Sequence, residues 1–497
     1  MSFWKAVGDA CADVATGRRS LFDVIKSRRT VRVAVVGGKK CGKTVFLAAL
    51  ENHLRNHRRG DFQIGGRTVD WDSNAITGTQ HQGFPVFDYV GASAALKKGV
   101  WPEKTANTSI LAMRLLIEDA SRKGREEVDL EVLDIPGERI SDCPMMGRAY
   151  REWCQWRELA FAGPNGISPA YREYLKRIED LGPGDEGALF DAYRDFIAYE
   201  YEHFTADVTP STVLLELDGT KHGGKRKADG SLDFRERISS LPLGFRDDDG
   251  TVIEFMPLPV ACFEKASPFR SLAKKYDCAY EKYANRVVRP MEKWLRGAQK
   301  MVYLVDMLTI LQAGADAWNA EKKYANAAIC ALCPRGEGML SRVWRYVQNV
   351  FWQTQINAVY VVATKSDLVA SNSDRTNLRN LVDELVRGTL PFLAGGIKTG
   401  TFSCAAISST EEVKGAHGEQ GLRGRLRVAG SEPPEYALAS WLPSPVPKNA
   451  PESSPEWRRM IDAGEFNYQF AVPPEGTGEV HPPPHFGLNV IVNELLR

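Results

Sequence analysis

A chain of 497 residues with 43% hydrophobic and 26% charged side chains has ordinary globular composition, is long enough for two or three structural units, and can bury a core without disulfides. Lys plus Arg number 64 against 63 Asp plus Glu, so no global field draws the chain to nucleic acid or anionic lipid, and no nucleic-acid partner is expected. Nine scattered cysteines argue for reduced thiols, no run approaches the roughly eighteen apolar residues of a membrane span, and Asp9 and Asp13 fall where a signal peptide needs apolar residues, so a cytoplasmic protein is expected.

Residues 3 to 28 read as an amphipathic helix with Phe3, Trp4, Val7, Cys11 and Val14 near one face. It would dock on the domain C-terminal to it or, helped by Arg28 and Arg29, touch a membrane surface peripherally. The β-branched run 31–36 suits a strand buried on both faces; Gly37 and Gly38 end it, and 44–55 resumes a helical pattern. Predicted strands at 110–117 and 128–133 form a hairpin, and a helical pattern rich in Trp, Tyr, Arg and Glu covers 144–204. The Gly- and charge-rich stretch 221–230 reads as a mobile loop, and helical character returns over 266–299. Predicted strands then recur at 301–305, 359–364 and 401–405 with helices between them, the alternation of a parallel, doubly wound sheet. Cys330 and Cys333 make one CxxC without a second pair at zinc spacing, and they read as small apolar residues on a helix. The Pro-rich C-terminal segment reads as extended chain and short strands ending in 488–496.

The chemistry is concentrated in four motifs. Gly37-Gly-Lys-Lys-Cys-Gly-Lys-Thr44 matches GxxxxGK[ST] between an apolar strand and a helix, the required order. Gly37, Gly38, Lys40, Cys41, Gly42 and Val45 belong to a backbone that would wrap a phosphate chain, with Lys43 reaching the β- and γ-phosphates and the Thr44 hydroxyl binding Mg²⁺. Lys40 either contacts the γ-phosphate or is a solvated loop lysine. Asp134-Ile-Pro-Gly137 ends the strand 128–133 and resembles DxxG, whose carboxylate holds Mg²⁺ through water and whose glycine N–H senses the γ-phosphate. Glu138 stands where many small GTPases carry a water-orienting glutamine; it either accepts from the attacking water or makes a surface salt bridge. Thr364-Lys365-Ser366-Asp367 matches [NT]KxD, in which Asp367 accepts two hydrogen bonds from guanine and the Lys365 stem packs on the base. Threonine in place of the commoner asparagine predicts a looser tie between base and phosphate loop. Ser403-Cys404-Ala405 ends the next strand, and Cys404 and Ala405 resemble the element that offers a backbone N–H to guanine O6. Thr105, between loop and DxxG, is the candidate for closing over metal and γ-phosphate, or else a capping threonine.

With VRVAVVGGKKCGKTVFLAAL, WPEKT, DIPGER, YEKYANRVVRPMEKW, LVDMLTILQAGADA, VVATKSDLV and CAAISSTEE in order from 31 to 412, the chain resembles the YcjX-like family of P-loop proteins, bacterial stress-associated GTPases. The resemblance implies a Ras-like P-loop NTPase fold, α/β and doubly wound, binding GTP or GDP, with a large mainly helical insertion, slow hydrolysis and a membrane-linked partner at the inner membrane as one option. Members have also been described as ATPases, which leaves base preference open. The organisation expected is an N-terminal helix (1–29), two parts of one α/β domain (30–143 and 300–415), the insertion between them (144–299), and a Pro-rich segment (416–497) packing back. Asp306 would cap a helix or support the metal. The expected activity is Mg²⁺-dependent GTP hydrolysis, slow because no arginine finger can be assigned, switching an unidentified protein effector or activator through the insertion. The alternatives are an ATPase of the same fold and a nucleotide-gated scaffold with little hydrolysis.

Overall fold

The apolar run at 31–36 folds as the middle of β1 (Arg28–Gly37), with Val33, Ala34, Val35 and Val36 buried, as a strand covered on both faces requires. The computed structural model describes residues 28–38, 40–56, 63–64, 66–72, 80–103, 108–119, 124–159, 169–202, 209–219, 234–333, 355–393, 396–414, 418–428, 431, 434–450, 455, 459–460, 465–479 and 481–497. The expected N-terminal helix up to residue 27, the loop 221–230 and Thr105 lie outside the described residues.

The remaining strands are β2 (Gln63–Ile64), β3 (Arg67–Asp72), the short pair β4 (Gln80–His81) and β5 (Phe84–Pro85), β6 (Ser109–Asp119), β7 (Gly124–Asp134), the pair β8 (Gly244–Arg246) and β9 (Val252–Glu254), β10 (Lys300–Val305), β11 (Ala358–Ala363), β12 (Lys398–Ser403), β13 (Thr410–Lys414), β14 (Gln420–Arg427) and β15 (Tyr436–Trp441). Eight of them form one sheet in the order β12-β11-β10-β1-β7-β6-β3-β2. From β12 to β7 the pairing is parallel; β6, β3 and β2 continue it antiparallel, so the sheet is mixed at one side. Side chains alternate between two cores. Val31, Val33 and Val35 face a layer holding the helices Lys43–Asn56 and Leu488–Leu496. Ala34 and Val36 face the layer of the helices Ala315–Leu332 and Asn372–Val386.

β1 begins at Arg28, earlier than the apolar run, because charged side chains there are paired. Arg29 bonds Glu126 at 2.5 Å and the carbonyl of Leu496. Between β7 and β10 the described residues are mainly helical apart from the β8–β9 pair, and include Tyr150–Arg157, Pro169–Leu181, Glu186–Glu202 and Arg270–Tyr283, the last continuing through a π turn (Ala284–Val288) into Arg289–Leu295. In the C-terminal part, β13 and β14 pair across residue 415, and β15 completes a three-stranded antiparallel sheet. No helix among the described residues is long and apolar enough to cross a membrane.

Candidate functional site

Strand register aligns the ends of the parallel strands. Gly37 pairs with Leu304, Val35 with Asp134, Val305 with Ala363 and Ala363 with Ser403, so the loops at these strand ends emerge along one sheet edge, where ligands of open α/β sheets bind. The loop after β1 is forced to be glycine-rich by contact. A Cβ on Gly37 would lie under 3.0 Å from the Leu304 carbonyl oxygen and the Cys41 sulfur, and Gly42 has φ +96°. Lys43 opens the helix, and its ammonium turns back into the loop to donate to the carbonyls of Gly37 (2.8 Å) and Gly38 (3.0 Å). Thr44 and Val45 are half-buried in the first helical turn, which Phe46 N–H closes on Gly42 O at 2.8 Å. Lys40 is exposed, at φ 59°. Cys41 is buried, and burial pushes its thiol up.

The turn after β7 is packed directly onto this loop. Asp134 is 1% exposed, and Ile135 N–H donates to Val35 O at 3.1 Å. A Cβ on Gly137 would again fall under 3.0 Å from backbone, here the Gly37 carbonyl oxygen. Tyr324, from the helix Ala315–Leu332, donates to the Gly137 carbonyl. Glu138 is buried. The 3₁₀ turn Gly137–Met145 leads away from the sheet into a buried polar network. Asp142, fully buried, accepts from Ser211 N–H (2.9 Å), Ser211 Oγ (2.5 Å) and Tyr283 OH (2.6 Å), with Arg139 3.8 Å away. Burial raises the Asp142 carboxyl above its usual range, against the lowering by Arg139 and these bonds. Arg139 itself donates to Ser211 Oγ at 2.8 Å, so its direction, unreadable in sequence, is into the helical segment.

At the far end of the edge, Thr364 Oγ donates to the Cys41 carbonyl at 2.8 Å. The hydroxyl thus ties the TKxD turn to the phosphate loop, where the sequence predicts a looser link. Lys365, at φ 59°, bonds Asp306. Asp306 also caps the helix Met307–Ala313 through Thr309 N–H at 3.2 Å, the first of its two expected roles. Asp367 is buried and held on Oδ2 by Ser409 N–H and Oγ, both at 2.8 Å; burial raises its carboxyl while Ser409 lowers it. Cys404 and Ala405 do not offer the amides expected of them. Cys404 N–H goes to Ala363 O (2.8 Å) and Ala405 N–H to Phe486 O (2.9 Å), because the C-terminal segment bridges there. The next amide, Ala406, donates to no backbone acceptor among the described residues.

Sequence reasoning missed Ser409, Tyr324 and Glu321. Glu321, one helical turn before Tyr324, bonds Tyr303 OH at 2.7 Å, and its Oε2 lies 3.3 Å from where a Cβ on Gly38 would stand. Burial lifts its carboxyl to about 7; Tyr303 and Lys43 oppose the rise, and Asp306 adds to it. Among the described residues no three His, Cys, Asp or Glu side chains come together as a metal cluster. Of the CxxC pair, Cys333 is buried against Met301 Sδ at 3.7 Å.

The model of the YcjX-like family, DUF463, matches residues 31–221 and 246–497. A protein named Ras-like GTPase YcjX from Shewanella oneidensis is 25% identical over 477 residues, 90% of each chain. One of the same name from Escherichia coli K12 is 24% identical over 497 aligned residues, 94% of this chain and 95% of the other.

Proposed function

The chain belongs to the YcjX-like family, and we propose that it is a Mg²⁺-dependent guanine-nucleotide-binding protein that hydrolyses GTP slowly and signals through the helical segment between β7 and β10. One observation carries the reading: the lysine-bearing glycine loop is touched along the sheet edge by two turns remote in sequence, Asp134–Gly137 on one side and Thr364–Asp367 on the other. The names of the two relatives point the same way.

On this reading Lys43 exchanges the carbonyls of Gly37 and Gly38 for phosphate oxygens, and the Gly137 amide turns to the γ-phosphate. The Thr44 hydroxyl and the Asp134 carboxylate are hard oxygen donors of the kind that hold Mg²⁺ while it keeps several waters. The ion would neutralise charge on the β- and γ-phosphates. Glu138 stands beside that turn as acceptor for a water proton, and Thr105 would close the site. Arg139 is committed to Ser211, so no arginine of the turn stabilises the transferred phosphoryl group, which fits slow turnover. Asp367 would accept from the two guanine donors, with the Ala406 amide replacing those of Cys404 and Ala405 at O6.

The base reading is tested by Asp367→Asn. Each charge-assisted bond is worth about 1.5–3 kcal/mol, so GDP affinity should fall about 10- to 100-fold. Xanthosine diphosphate should gain, because the carboxamide donates to the carbonyl xanthine carries where guanine has its amino group. Calorimetric titration with GDP, ADP and xanthosine diphosphate decides it; equal GDP and ADP affinities in the wild type would remove the guanine assignment.

A second expectation concerns Glu321. Its carboxyl, at about 7, is half protonated near neutral pH. Polyphosphate arriving beside Gly38 adds negative charge and draws Lys43 away, and both effects raise the carboxyl further. At pH 7 the wild type should therefore take up more protons on binding GDP than Glu321→Gln does. The difference should vanish near pH 5, where the carboxyl is protonated throughout. Titrations in buffers of different ionisation enthalpy measure it, and identical proton counts at pH 7 would contradict it.

A further inference from the structure

We infer that Phe470 is a nucleoside-binding residue: its ring, carried by the C-terminal segment, forms the wall of the site over the base held by Lys365 and Asp367. The inference rests on the proposed nucleotide function. The run 465–479 crosses the edge of the sheet from which the phosphate and base turns emerge. It is fastened to the last turn of the helix Met307–Ala313, where Gln312 Nε2 donates to Tyr468 O at 3.0 Å. Its other end is fastened beyond the phosphate loop, where Gly476 N–H donates to Lys97 O at 2.8 Å and Asn52 Nδ2 to Gly478 O at 3.3 Å. Midway, Trp101 of the WPEKT stretch donates its indole N–H to Ala471 O at 3.1 Å. Tyr468, Ala471 and Val472 are buried, yet Phe470 between them is 40% exposed. The ring is placed over the lysine of TKxD, with the Lys365 ammonium 4.7 Å from its centroid. A large aromatic left open among buried neighbours, beside the lysine assigned to the base, offers a π-face where a purine needs one. Aromatic stacking is tolerant of base identity, so Phe470 would supply affinity for the nucleoside while Asp367 selects guanine.

The experiment compares the full chain with Phe470→Ala and Phe470→Trp, titrated with GDP, ADP and Mg²⁺–tripolyphosphate, a probe without a base. Loss of a base–aromatic stack lowers affinity by about 5- to 100-fold. The expected result is that loss for GDP in Phe470→Ala, with tripolyphosphate unchanged and GDP affinity restored in Phe470→Trp. Unchanged GDP affinity in Phe470→Ala overturns the proposal. So does an equal loss for GDP and tripolyphosphate, which is what a merely structural prop would give. A wild type that binds tripolyphosphate and no nucleoside diphosphate more tightly overturns both this proposal and the function it rests on. A wild type equally tight for GDP and ADP, with both weakened in Phe470→Ala, upholds Phe470 while removing the guanine assignment.

Discussion

Lys43→Ala is expected to weaken GDP and GTP binding by about 100- to 10,000-fold while leaving the fold intact. The ammonium faces the concave side of the loop, where it satisfies two carbonyls, Gly37 and Gly38, that belong to the site itself. Facing phosphate, the same group would make two charge-assisted bonds of about 1.5–3 kcal/mol each, and about 1.4 kcal/mol is a decade of affinity. The folded chain loses little, because the loop is also held by the close contact of Gly37 with the Leu304 carbonyl and by the Thr364 bond to Cys41. Calorimetry with GDP and a thermal melt, run on the same samples, separate the two effects. Unaltered GDP affinity would dismantle the phosphate assignment, and a collapsed melt would mean that Lys43 is structural.

Asp142→Ala is expected to have the largest effect on stability, about 3–5 kcal/mol, because removing one partner of a buried ion pair strands the other. Asp142 gathers three hydrogen bonds from Ser211 and Tyr283 and stands 3.8 Å from Arg139, itself mostly buried. Without the carboxylate, the guanidinium remains in the interior without its counter-charge and the two hydroxyls without their acceptor. Tyr283→Phe removes one of the three bonds and should cost about 0.5–1.5 kcal/mol. Urea midpoints tracked by tryptophan fluorescence measure both. Near-wild-type stability in Asp142→Ala would mean that the network is not a structural tie.

What could be read in advance was what is encoded locally. The strand entering the phosphate loop, the glycines and the lysine obey steric and charge rules that act over a few residues, so residues 31–44 are legible on their own. The hairpin of β6 and β7 and the parallel strands β10 and β11 are equally plain from their apolar runs, whereas β12, with the sequence KTGTFS, starts three residues ahead of the strand predicted at 401–405 and ends two residues short of it. The rest depends on who meets whom. Ala405 looks like a free donor until the C-terminal segment arrives with the Phe486 carbonyl. Threonine in TKxD looks like a weakened asparagine until its hydroxyl is seen to reach Cys41. Ser409 and Glu321 sit in no motif, and only tertiary packing brings them to Asp367 and Gly38. β2 and β3 escape a reading by apolar runs because their side chains are largely polar, at the edge of the sheet, where one face needs no apolar cover.

The fastening of the Gly137–Met145 turn to Ser211 and Tyr283 has a mechanical consequence. A rigid coupling turns a small translation at one end into rotation about a pivot, and the arc swept grows with distance from it. An ångström of travel at Gly137 would therefore be cranked outward along Arg270–Tyr283, and its far tip would move most.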